Sequence, residues 1–252
     1  MKGKVVLSFV ALTIFLFMTG CSSSILSWKR AQQSAHNAVV DPMTWAPAIG
    51  SVALYTTKYD NHATQYFMDH KPIQCIKFSS TDCADRANDY RLLNSVITFT
   101  TAVLINDEGN ITKKLKRVVV EESSYIIGKS TVDMLESVGK KSPDGTANDA
   151  LASHHALEPF AGSAMTRRNV SQMNIPAFGK YAIVGVSYYT STYAALTRVQ
   201  DGAHSLGDQF VNMAVGNFLG LFIHDLFMLE DGIQLNVVPT KERVAMSVYY
   251  HF

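Results

Sequence analysis

The stretch "TRVQDGAHSLGD", residues 197–208, brings Arg198, His204 and Asp208 together at fixed spacing. His204 and Asp208 are four apart, so on a helix they share one face, a turn apart. A carboxylate there can accept the imidazole Nδ1–H, fixing the tautomer and leaving Nε2 basic. Such a ring can act as base or nucleophile. Gly202 precedes it at the expected helix start, where free N–H groups favour an anion. Arg198 adds a planar guanidinium that can hold two oxygens of a phosphate. The local chemistry points to an oxyanion. The competing reading is a His–Asp pair on a solvated helix, with Arg198 capping the helix before it.

Upstream stands "ASHH", with Ser153 and His155 two apart, followed by the small and apolar "ALEPFAGSAM". Further upstream is "KKSPDG", which holds Lys140 and Lys141. Taken alone, that lysine pair also reads as part of a solvated loop.

Thr197-Arg198, five residues, His204, three residues and Asp208 resemble the third signature of the type 2 phosphatidic acid phosphatase superfamily. That superfamily also includes bacterial acid phosphatases and vanadium haloperoxidases. Its third signature is Ser-Arg, five residues, His, three residues, Asp, so only Thr197 departs. "ASHH" resembles the second signature, P-S-G-H, with Ala152 for Pro and His154 for Gly. The first signature is the poorest match. Pro143, Asp144 and Gly145 align with its R-P-D-G, but Ser142 stands for Arg and Leu135 for Lys. Lys140 and Lys141 can supply charge from a shifted position.

The resemblance covers about 91–229 and implies a helical bundle with its site at the ends of the central helices. It implies that His204 attacks phosphorus, Asp208 orients it, and His155 protonates the leaving oxygen and then activates water. Arg198, Ser153, Lys141 and Lys140 would bind phosphate. It implies no cofactor and no metal. The substrate would be a phosphorylated small molecule or lipid.

These groups must be positioned by the rest of the chain. Its 252 residues are 47% hydrophobic and 17% charged, with formal net charge +1. That suits a globular protein with a sizeable core and gives no sign of a nucleic-acid partner. Lys2 and Lys4, an apolar run of 14 residues and "TGCSSS" describe a secretory signal, too short for a standard membrane span. "MTGC" resembles the bacterial lipobox. That implies a signal peptide at 1–20 and lipidation of Cys21; Ser22 after it favours the outer membrane and its periplasmic face. The alternative is an uncleaved anchor helix. In an oxidising compartment Cys75 and Cys83 are candidates for a disulfide, or are two buried thiols.

The expected organisation is a tether and short helix over 21–45, a helical phosphatase-like domain over 46–232 and a C-terminal β-hairpin over 233–252. The fold class is mainly α, with about six core helices. Helix is expected to start near Pro47 and to run over 84–105, 112–138, 149–167, 177–198 and 204–229, with 71–89 as loop. The tail "IQLNVV…RVAMSVYYHF" alternates and reads as strand. Three helices are apolar enough to raise membrane spans, but the Asn, His and Asp in "VNMAVGNFLGLFIHDLFML" favour buried helices of a tethered soluble domain.

Three functions are consistent with this pattern. They are an exported, lipid-anchored phosphatase, a non-catalytic envelope lipoprotein that binds an oxyanion, and a vanadate-dependent haloperoxidase. The weakened cationic side argues against the last.

Overall fold

The computed structural model describes residues 28–73, 83–106 and 111–228. Among them the chain is mainly helical, with eight helices and no strand. They are α1 (Trp28–Val40), α2 (Pro42–Thr57), α3 (Tyr59–His70), α4 (Cys83–Leu104), α5 (Ile111–Glu136), α6 (His154–Gln172), α7 (Ala177–Gln200) and α8 (Leu206–Met228). At 233–239 and 244–250 only the backbone is described, as two antiparallel strands. The packing of the expected hairpin lies outside the described residues, as do Cys21, Cys75 and the side chain of Cys83.

α6 and α8 form the centre. α1 and α2 pack on α8, α4 and α7 pack on α6, and α5 touches both central helices. Two glycines let the central pair approach. A Cβ on Gly216 would lie 2.4 Å from the Leu157 carbonyl oxygen, and one on Gly220 would lie 2.3 Å from that of Ala161. Neither distance is possible, so glycine at these two positions sets the α6–α8 crossing.

The interior is unusually polar. The Asn94 amide nitrogen of α4 lies 2.9 Å from Ser163 Oγ of α6 and from the Ser187 carbonyl of α7. Thr98 meets Thr166 at 3.1 Å. Asn169 donates to the buried Glu121 carboxylate at 2.6 Å. Burial pushes Glu121 up to about 8, against the opposing pull of Asn169 and Arg117. Hydrogen bonds offset much of the cost of these buried groups, although Asn94 Oδ1, Asn169 Oδ1 and Glu121 Oε2 are buried without a partner.

Several boundaries differ from expectation. α2 begins at Pro42 because Asp41 caps it, accepting from the Met43 N–H at 3.0 Å, with proline in the first turn. Pro47 lies inside that helix. The boundary expected at 45/46 therefore falls within α2. α3 was not anticipated, while α4 runs within one residue of the helix expected over 84–105. α6 starts at His154 rather than 149, and α8 starts at Leu206 rather than 204. The last two shifts alter the site.

Candidate active site

One end of the bundle gathers the start of α6, the end of α7 and the turn before α8. α7 stops at Gln200. Gly202 then takes φ +77, and the N–H groups of Ala203 and His204 both turn back to the Arg198 carbonyl. A glycine in the left-handed region just past a helix end is the usual way to close it. Gly202 thus ends α7 rather than opening α8. The turn places His204 beside the C-terminal turn that carries Arg198.

Asp208 does not orient His204, contrary to expectation. Its carboxylate accepts the Ser205 N–H at 2.8 Å, while Ser205 Oγ accepts the Asp208 N–H at 3.3 Å. This is a reciprocal capping box, in which the N-cap serine and the acid three residues on satisfy each other's N–H. His204 lies before the helix, so spacing of four does not bring it to the face of Asp208. The other Asp208 oxygen accepts from Lys140 Nζ and, at 2.6 Å, from the Tyr55 hydroxyl. Burial and the Asp208 charge push the Tyr55 hydroxyl pKa up.

The carbonyl of Ala150 does what Asp208 was expected to do. It lies 2.8 Å from His204 Nδ1. A carbonyl only accepts, so Nδ1 carries the proton and Nε2 keeps its lone pair. His204 is buried, and burial, with help from Arg198, lowers its pKa although the Ala150 bond opposes this.

The N–H groups opening α8 are not free for an external anion either. Leu206 N–H donates to Thr64 Oγ1 at 3.0 Å and Gly207 N–H to Asp60 at 2.7 Å. The protein's own carboxylates occupy that helix end.

His155, in the first turn of α6, lies near both Arg198 and His204. Its pKa is lowered to about 4, first by burial, then by the charges of Arg198, Arg91 and His204. Ser153 is the N-cap of α6, yet its hydroxyl makes no capping bond and is buried without a partner. Arg198 Nε is also buried without a partner, and its Nη1 stands 3.8 Å from Asp201. His155, His204 and Arg198 are thus close enough to perturb one another, and two unmet donors accompany them.

Neither lysine is among the leading charges acting on His155 or His204. Lys140 is committed to Asp208, Ser205 and Tyr55. Lys141 is exposed and, with Lys140, Tyr55, Lys58 and Ser205, lines a cavity of about 430 Å³. The loop carrying them folds on itself, because Asp144 accepts from Ser142 Oγ and from the Thr146 N–H. Lys140 thus lies beside Ser205, the residue after His204, but its charge is already paired with Asp208.

Sequence reasoning missed Ala150, Tyr55, Asp60, Thr64 and Arg91. A backbone carbonyl leaves no sequence signal. The Ser205-x-x-Asp208 box was visible, and would have assigned Asp208 to the helix start. His154 makes its own ion pairs, Nδ1 at 3.2 Å from Glu158 and Nε2 at 3.6 Å from Asp133, and Glu158 in turn holds Arg91 at 3.1 Å. Asp133, Glu136 and His154 each offer a donor atom within 4.8 Å of the others, the one group among the described residues that could hold a metal ion.

No family model, curated protein or solved structure matches this chain.

Proposed function

We propose that the protein is an exported, lipid-anchored, acid-phosphatase-like hydrolase that removes phosphate from a phosphomonoester or pyrophosphate through a phosphohistidine. The observation that carries this reading is the His155–His204–Arg198 group. It pairs a nucleophile-ready Nε2 with a second neutral imidazole, a guanidinium and two buried unmet donors, Ser153 Oγ and Arg198 Nε. Unmet buried donors are costly, and an anion's oxygens would satisfy them.

In the proposed reaction, His204 Nε2 attacks phosphorus, the P–N bond forms and the P–O bond to the leaving group breaks. His155 gives its proton to the departing oxygen. The same imidazole then takes a proton from water, which attacks phosphorus and releases His204 and inorganic phosphate. Arg198 and Ser153 hold the equatorial oxygens, where charge collects. A dianion beside His155 favours the imidazolium, countering Arg198 and Arg91. Asp208 and Lys140 act one step removed, by fixing the α8 start and hence the turn that holds His204. The remaining expectations belong to this proposal too: Cys21 anchors the chain in the outer membrane, and 233–252 forms a hairpin.

The test is hydrolysis of an aryl phosphate by wild type, His204→Ala and His155→Ala. The expected loss is about 10³-fold or more for His204→Ala and about 10²-fold or more for His155→Ala. A folded wild type inert on aryl, lipid and pyrophosphate substrates would overturn the reading. The alternative, a non-catalytic lipoprotein that binds an oxyanion, is favoured by one observation: Lys140 and the α8 N–H groups are already paired within the protein.

A further inference from the structure

The outer surface of the bundle is uneven in charge. α2 carries no charged residue, nor do 92–104 of α4 or 181–197 of α7. Their outward side chains are large and apolar. Trp45, Ile49 and Val52 of α2 are 47%, 61% and 59% exposed, and Leu92, Val96 and Phe99 of α4 and Tyr181, Val186 and Tyr189 of α7 are similarly open. Their inward sides are the polar residues Ser51, Asn94, Thr98, Ser187 and Ser191.

α4 and α7 adjoin, whereas α2 is linked to α7 through α8 and α3 rather than by direct packing. α4 packs on α7, where the rings of Tyr90 and Tyr193 lie 4.2 Å apart. α7 and α2 meet at one amide of α8: Tyr188 donates to Asn217 at 2.7 Å, and Asn217 donates to Thr44 at 2.8 Å. α5 differs in charge: it too exposes apolar side chains, among them Leu115, Val119 and Ile126, but interleaves them with exposed Lys116, Glu122, Lys129 and Asp133. A polar interior under outer faces that are apolar and uncharged is the reverse of a water-surrounded bundle, and exposed apolar faces without charge mark an interaction site.

The chain itself indicates what covers it. Seven peptide steps separate Cys21 from Trp28, where α1 begins, a reach of at most about 25 Å. α1 leads directly to α2. If Cys21 is the lipid anchor, as in the function proposed above, α2 begins within reach of the bilayer. Lys29, next to the tether, and Lys58, at the end of α2, are exposed cations suited to anionic headgroups. Tryptophan and tyrosine favour the membrane–water interface.

We propose that the α2–α7–α4 arc lies on a lipid bilayer, its outer side chains entering the boundary between headgroups and acyl chains. The bundle rests on the membrane and does not span it. α8, the one described helix long and apolar enough to cross, is instead a core helix, more than half buried.

Trp28 and Trp45 are the only tryptophans in the chain, and this makes the test direct. The full chain carrying Trp28→Phe, an exposed position, keeps Trp45 alone. It is bound to vesicles of phosphatidylcholine and phosphatidylglycerol whose acyl chains bear bromine. Trp45 emission is expected to fall by about twofold or more against unbrominated vesicles, and to resist aqueous iodide. Adding Ile49→Glu and Val52→Glu should abolish the bromine effect. Quenching by iodide and not by bromine would overturn the proposal. So would resistance to both, which would mean that another part of the chain or a second copy covers the face. If the protein floats with the vesicles while Trp45 stays wet, this inference fails and the anchor stands; aryl phosphate hydrolysis reports separately on the active site.

Discussion

His155 and His204 illustrate how environment, not residue type, assigns chemical roles. Both imidazoles are held neutral by burial and by cations, principally Arg198. They differ in the hydrogen bond that one of them makes. The Ala150 carbonyl fixes the tautomer of His204, whereas His155 is left to exchange a proton. It follows that Arg198→Gln should raise the His155 pKa from about 4 towards 6.5, because a neighbouring cation disfavours imidazolium. The shift is measurable by NMR titration of the ring protons. An unchanged titration would separate Arg198 from the site. At this scale the sequence was legible in part. Arg198 and His204 were legible from spacing, Ser153 and His155 only through the family resemblance, and the fold places Arg198 and His204 close enough to act on His155. Asp208 was misassigned because the spacing rule assumes a helix through 204, whereas the capping box starts it two residues later.

At the scale of elements, the proposed active end depends on how α6 and α8 cross. His155 rides on the first turn of α6, and the α8 start fixes the turn holding His204. Gly216 and Gly220 allow their backbones to touch. Gly220→Ala places a methyl against the Ala161 carbonyl, where no rotamer can relieve it. The expected cost is about 1–3 kcal/mol of overpacking, offset by about 1 kcal/mol of gained helix propensity. The melting temperature should fall by a few degrees, and activity with it as the two ends shift. A stabilised variant would show that the crossing adapts freely. Helix existence was readable from long apolar periodic runs. α3 escaped notice because "YDNHATQYFMDH" is polar and its buried face is Asp60 and Thr64, residues that serve the α8 start rather than a hydrophobic core.

For the whole molecule, a polar interior carries a pH signature. Two opposed effects are built in. His155, His204 and His224 all have lowered pKa values, so the unfolded chain binds protons that the folded one refuses. Their contribution is intact above about 6.5 and is lost as pH falls below it, for His155 through about 4. Glu121 is raised from 4.5 to about 8, so its contribution is intact below 4.5 and is lost as pH rises through about 8. Between 4.5 and 6.5 the slopes oppose each other. Thermal stability should therefore peak in mildly acidic buffer and decline on both sides, as a melting series from pH 4 to 9 would reveal. Glu121→Gln should flatten the alkaline decline. A maximum above pH 8 would contradict this balance. The polar interior itself was not foreseen. Hydropathy reads "LLNSVITFTTAVL" as apolar on nearly all sides, and only the packing shows that Asn94, Thr98 and Thr101 face inward while leucine, valine and phenylalanine face out.

The central claim is that His204 Nε2 becomes bonded to phosphorus during turnover. Rapid acid-free quenching of His155→Ala with an activated aryl phosphate, followed by peptide mass spectrometry, tests it most directly. Without His155 to activate water, phosphate is expected to accumulate on His204. Turnover with no phosphate on that ring, or undiminished turnover by His204→Ala, would contradict it.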